Sequence, residues 1–126
     1  MPLILWVAVG GAIGSAARHL VNVLSGRILG FDFPWGTLAV NVVGCFAMGL
    51  FIGFAATKLS VSSETKAFVA TGILGGFTTF SAFSLDFATL AERRELILAA
   101  LYGIGSVGLS LAAVFGGMWL VRQLAT

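Results

Sequence analysis

Apolar residues in this chain form four long runs separated by short charged clusters. Met1–Ala17 holds 17 residues without formal charge before Arg18, and Phe33–Thr57 holds 25 between Asp32 and Lys58. Ala67–Leu85 holds 19 between Lys66 and Asp86, and Leu96–Val121 holds 26 between Glu95 and Arg122. A helix that crosses a bilayer needs about 20 mostly apolar residues. The pattern therefore predicts an all-α membrane protein, a single domain over 1–126 with spans at about 3–24, 35–56, 67–85 and 96–121. The first span continues past Arg18 because Leu20-Val21-Asn22-Val23-Leu24 keeps the apolar pattern. The fourth measures about 39 Å by helical rise, so it tilts or emerges at one end. The connecting segments Ser25–Pro34, Lys58–Lys66 and Phe87–Glu95 leave no room for a soluble domain. Pro34 and Trp35 suit a helix entry at the interface, and Trp6 and Trp119 fall near span ends as interfacial anchors. The first run lacks a basic lead-in and is interrupted by Gly10, Gly11 and Gly14, so it is expected to be a span and not a cleaved leader.

Composition narrows the function classes. Of 126 residues 59% are hydrophobic and only 10% charged, with mean hydropathy +1.06, against roughly 25% charged in soluble domains. That count argues against a soluble enzyme, a disordered regulator and a nucleic-acid-binding module. One Cys and one His give neither a disulfide framework nor a protein-only metal cluster. With four spans, Lys58, Lys66 and Arg122 share one side of the membrane, while Arg18, Arg27, Arg93 and Arg94 share the other. Orientation follows the Lys/Arg excess in short loops. Three against four gives almost no instruction, which predicts insertion both ways and an antiparallel pair as the working unit.

Small residues recur at helical spacing: Gly10/Gly14, Gly49/Gly53, Ala112/Gly116 and Ala113/Gly117. In lipid, such pairs let helix backbones approach closely. They predict a tight bundle or an oligomer.

The polar residues inside the spans carry the chemistry. No Asp, Glu, Lys or His lies mid-span in helices two to four. A proton-coupled exporter needs a titratable group at that depth, and cation pores often use acidic rings. What remains is neutral: Asn41, Thr71, Thr78, Thr79, Ser81, Ser84, Tyr102, Ser106 and Ser110. Asn41 is either interhelical glue, at ~0.6 kcal/mol per bond, or a donor facing an ion path. In the third span, Gly75-Gly76 followed by Thr78-Thr79 is poor for helix continuity. Either the helix stays intact as a small-residue crossing, or it breaks and frees carbonyls that suit a hard cation such as Na⁺. Phe80 and Phe83 share a face, as do Ser81 and Ser84. The phenyl rings are either packing groups or electropositive edges for an anion, with neighbouring Ser and Thr hydroxyls helping to replace its hydration shell. Tyr102, Ser106 and Ser110 recur every four residues as one stripe that stops at Val114. Serine hydroxyls also bond back to their own helix, so the stripe alone assigns nothing.

Gly75-Gly76-Phe77-Thr78-Thr79-Phe80-Ser81-Ala82-Phe83-Ser84 closely resembles the signature of the Fluc-type (CrcB-like) fluoride channels. Pro34-Trp35-Gly36-Thr37-Leu38, with Asn41 and Gly44, resembles that family's second-helix pattern. The resemblance covers nearly the whole chain and includes an early arginine, Arg18. It implies a dual-topology homodimer in the cell's inner or plasma membrane, with a broken third helix and two fluoride pores between antiparallel subunits. By that resemblance Phe80 and Phe83 line the pores with their ring edges, and Asn41, Thr79, Ser81, Tyr102, Ser106 and Ser110 supply hydrogen-bond donors. The carbonyls of Gly75 and Thr78 from both subunits hold a central structural Na⁺, and Arg18 attracts anions in the vestibule. The family often continues the fourth-helix track with threonine where this chain has Val114. Asp86 stands where the family has an acidic residue, with no role assigned by the sequence.

The implied function is passive fluoride export that lowers cytoplasmic toxicity. The physics is consistent: a small, strongly hydrated anion needs close donors, and neutral donors supply them without trapping it. A small multidrug-resistance-type exporter shares the size, four spans and dual topology, but needs a carboxylate in the first helix, and Met1–Ala17 has none. A non-conducting scaffold subunit is the rival from another class. An intramembrane enzyme lacks a nucleophile–base pair within a span, and Cys45, single and flanked by Gly44 and Phe46, reads as a small packing residue.

Overall fold

The computed structural model describes residues 1–57 and 61–125. Lys58, counted above in the charge comparison, lies outside the described residues. Helix α1 covers Leu3–Leu29, α2 Trp35–Thr57, and the last helix, α5, Leu96–Ala125. Between them lie α3 (63–77) and α4 (Phe80–Glu92). Among the described residues four helical segments are long and apolar enough to cross a membrane: Leu3–Leu29, Trp35–Ala56, Ser63–Glu92 and Leu96–Leu124. It is a multi-pass membrane protein. Each segment turns most of its surface outward: Ile97 is 78% and Leu101 62% exposed. Apolar side chains in that position suit lipid or a second subunit as solvent.

The segment ends are set locally. Helix α1 stops at Gly30, whose φ of 82 turns the chain while its N–H bonds the Gly26 carbonyl. Helix α3 starts with Ser62 Oγ accepting from the Thr65 N–H, an N-cap. Helix α4 ends in a Schellman turn. Glu95 N–H reaches the Leu90 carbonyl and Arg94 N–H reaches that of Ala91, with Arg94 at φ 61 in the position that normally takes glycine.

Within α3, Ser63–Thr65 is α-helical, Lys66–Leu74 winds more widely as a π-helix, and Gly75–Phe77 returns to α-helix. Thr78 (φ −83, ψ 157) and Thr79 (φ −155, ψ 123) then have extended backbone before α4 begins.

The helices pair out of chain order: α2 packs most extensively on α5, and α1 on α3. Glycine makes both crossings. A Cβ on Gly10 would strike the Phe68 carbonyl, and one on Gly14 the Ile73 carbonyl. A Cβ on Gly49 would strike the Val114 carbonyl, and one on Gly117 that of Phe46. Gly53 also faces α5, against Met118 and Val121. The pairs Gly10/Gly14 and Gly49/Gly53 thus sit in crossings. Ala112/Gly116 does not: Ala112 is exposed and Gly116 has open space where its Cβ would be. Trp6 is more than an interfacial anchor, since its ring meets Phe68 edge-on with centroids 5.7 Å apart.

Candidate functional site

The site begins at the two extended threonines. Thr79 offers its backbone N–H and carbonyl to whatever lies beside it, and Asn41 on α2 takes both. Its Oδ1 accepts from the Thr79 N–H at 2.7 Å, and its Nδ2 donates to the Thr79 carbonyl at 3.1 Å. One amide hydrogen of Asn41 is left over. Gly44, one turn further along α2, allows the approach: a Cβ there would strike Thr78 Cγ2.

This arrangement redirects hydrogen bonds. In an unbroken helix the Thr79 N–H would serve the Gly75 carbonyl and the Ala82 N–H that of Thr78. Here the first goes to Asn41, and the second to Thr79 Oγ1, which caps α4 at 3.1 Å. Arg18 donates Nε–H to the Gly76 carbonyl at 3.1 Å. The carbonyls of Gly75 and Thr78 therefore lose their regular amide partners, while Gly76 between them gains a guanidinium. Carbonyl oxygens relieved in this way are the donor type that a hard cation such as Na⁺ takes, so Gly75 and Thr78 fit such an ion. Among the described residues no group of three His, Cys, Asp or Glu could hold a metal.

Beside the threonines lies a cavity of about 290 Å³ between α2, α4 and α5, and every residue lining it is uncharged. It brings together Asn41, Thr78, Thr79, Phe80, Phe83, Ser106 and Ser110, with Cys45, Val107 and Leu111 completing the wall. Phe80, 76% exposed, and Phe83 stand with ring centroids 5.4 Å apart. Ser106 is 4% exposed, and its Oγ is enclosed and makes no hydrogen bond to any described group. Its hydroxyl does not bond back to α5, and an unmade bond at a buried donor is costly, at about 1–3 kcal/mol.

Four expected site residues lie outside this cavity wall. Ser81 is exposed, with its Oγ 3.3 Å from Thr79 Oγ1. Arg18 points to Gly76 on α3, and Gly75 is exposed. Tyr102 is 1% exposed in a core with Leu90 and Ala99, and its ring lies 5.1 Å from that of Phe83. Its hydroxyl donates to Asp86 Oδ2 at 3.2 Å, which gives Asp86 a partner the sequence did not name. Tyr102 thus backs Phe83, and only the serines of the stripe reach the cavity. Val114, where the stripe stops, has its backbone in the α2–α5 crossing, against Gly49. Cys45, Val107 and Leu111 are wall residues that sequence reasoning missed, and of these Cys45 carries a polar group. The signal was present, since Cys45 follows Asn41 by one helical turn and shares its face.

Comparison with known proteins places the chain among relatives along nearly its whole length. Residues 5–118 match the family model described as CrcB-like protein, Camphor Resistance (CrcB). The Fluoride-specific ion channel FluC of Mesorhizobium japonicum is 54% identical over 121 residues, covering 96% of this chain and 97% of that protein. The protein of the same name from Rhizobium leguminosarum bv. trifolii is also 54% identical over 121 residues, with the same coverage. Fluoride-specific ion channel FluC 2 of Nitrobacter hamburgensis is 52% identical over 120 residues, covering 95% of this chain and 97% of its own.

Proposed function

This chain belongs to the CrcB-like family, and from that premise we propose that it is a fluoride-specific ion channel through which fluoride leaves the cell passively. The observation that carries the reading is the buried, unpartnered Ser106 hydroxyl in a wall of uncharged groups. A bare donor in a charge-free cavity suits a small anion that must shed water and then move on. Ser110, the spare Asn41 amide hydrogen and the edges of Phe80 and Phe83 extend the same chemistry. Ser81 and Thr79 add hydroxyls at the rim, Tyr102 backs Phe83, and Arg18 draws anions towards the third span.

The working unit is an antiparallel homodimer in the cell's inner membrane, with two pores. The three-to-four split of basic residues supports dual insertion, and the outward-facing apolar surface and small-residue faces support a second copy. The third span works as a broken helix. Its Gly75 and Thr78 carbonyls, from both subunits, hold a structural Na⁺ at the centre, supported by the redirected amides of Thr79 and Ala82.

The test is fluoride efflux from liposomes that contain only the purified protein, read with a fluoride electrode and repeated with chloride. Fluoride-selective efflux is expected. Chloride passing as readily as fluoride, or no efflux of either, refutes the channel. Replacement of all Na⁺ by N-methylglucamine is expected to weaken conduction or the dimer; indifference to Na⁺ removes the central ion.

A further inference from the structure

Gly10, Gly14 and Arg18 follow one another at four-residue steps, so they share a stripe of α1. The two glycines lay that stripe against the backbone of α3, at the Phe68 and Ile73 carbonyls. The contact extends to Gly76, where a Cβ would lie 2.7 Å from the Gly11 carbonyl oxygen. Arg18 takes over where the glycines stop. It is half-buried, and its Nε–H donates to the Gly76 carbonyl at 3.1 Å. Ala16 is the midpoint of Leu3–Leu29, so Arg18 belongs to the middle turns of a membrane span. A charged residue at that depth is expensive and marks a function.

In an unbroken helix the Gly76 carbonyl would receive the Phe80 N–H. Here a side chain from another helix meets it, and the chain then runs extended through Thr78 and Thr79. The stretch between α3 and α4 is thus held from two sides, by α1 through Arg18 and by α2 through Asn41. We infer that Arg18 is a positioning residue for conduction: its Nε–H bond to Gly76 holds the third span bent between α3 and α4, and this bond, not the positive charge, sets the bend. The inference rests on the channel reading above. Occupying the Gly76 carbonyl from the side withholds an acceptor that one continuous helix would use. Helix α4 then keeps its own direction, with Phe80 and Phe83 at the cavity beside Asn41. The terminal nitrogens of the guanidinium lie beyond this bond, so positioning and the attraction of anions use different atoms of one side chain.

Nε is the fourth side-chain atom of arginine. Glutamine has an uncharged N–H donor at the same count, and methionine has a methyl group. The experiment compares the full-length wild type, Arg18→Gln and Arg18→Met. Hydrogen exchange of the amides of residues 75–82 is followed by mass spectrometry in detergent, and fluoride efflux is measured from liposomes. Arg18→Gln should exchange at the wild-type rate and Arg18→Met at least tenfold faster. Efflux should fall at least tenfold in Arg18→Met and be partly recovered in Arg18→Gln, a rescue that a general loss of packing would not give. Equal exchange in the two variants, whether native or accelerated, denies the bond its role and overturns the inference. Faster exchange with wild-type efflux in Arg18→Met overturns it too. If Arg18→Met does not fold, recovery of folded protein in Arg18→Gln supports the inference and failure of both overturns it. Absence of fluoride efflux from the wild type is a different failure, that of the channel reading, and the exchange rates still decide whether Arg18 sets the bend.

Discussion

Asn41→Ala removes the two hydrogen bonds that hold the Thr79 peptide, the 2.7 Å bond from its N–H and the 3.1 Å bond to its carbonyl. Each backbone group left unpaired out of water costs about 1–3 kcal/mol, so roughly 2–6 kcal/mol is at stake. Water in the adjoining cavity can reach these groups, which places the expected loss near the lower end, about 2 kcal/mol. Asn41→Asp separates structure from conduction. The carboxylate still accepts the Thr79 N–H but turns an oxygen towards the Thr79 carbonyl, so one bond is lost and one kept. It also sets a negative charge in the wall of an anion path. The assays are thermal unfolding in detergent and fluoride efflux from liposomes. Asn41→Ala should lower both stability and efflux. Asn41→Asp should unfold closer to the wild type and conduct least of the three proteins. Native unfolding and native efflux in Asn41→Ala would refute the claim that this side chain organises the threonine stretch.

Phe80→Ile and Phe83→Ile should each cut fluoride efflux at least tenfold while gel filtration shows an unchanged assembly; full efflux in both removes the rings from the mechanism. Gly14→Ala puts a methyl against the Ile73 carbonyl and within 2.8 Å of the Phe77 nitrogen. Backbone cannot yield there, so the variant should lose about 1–3 kcal/mol or more, seen as a lower unfolding temperature. Arg94→Gly should raise that temperature, since a non-glycine residue at φ 61 costs roughly 1 kcal/mol that glycine avoids.

The membrane-crossing plan was legible because lipid imposes a length on every charge-free run, and the four runs supply the four long apolar helices. Which small residues meet was only half legible. Spacing alone treats Gly49/Gly53 and Ala112/Gly116 alike, yet the rotation of α5 buries Gly117 and leaves Gly116 open. The same limit applies to the site. Asn41 left two readings open, and it serves one of them visibly, bonding Thr79 while its remaining hydrogen stays available. Tyr102 and the two serines look equivalent along the helix, but Asp86 and Phe83 draw the tyrosine into the core. Cys45 was discounted as packing because its type suggested nothing, although its register with Asn41 set its direction. The bond from Arg18 to Gly76 spans 58 residues, and no local pattern announces a contact at that separation.

The helix that packs most extensively on the second one comes later in the chain, after the whole third span. Until Leu96–Ala125 has emerged, the Gly49 and Gly53 face has nothing to close against. Closure of this seam therefore waits until the fourth span has been made. A premature stop codon before that stretch would leave three inserted helices with an open seam, a recognisable target for membrane quality control.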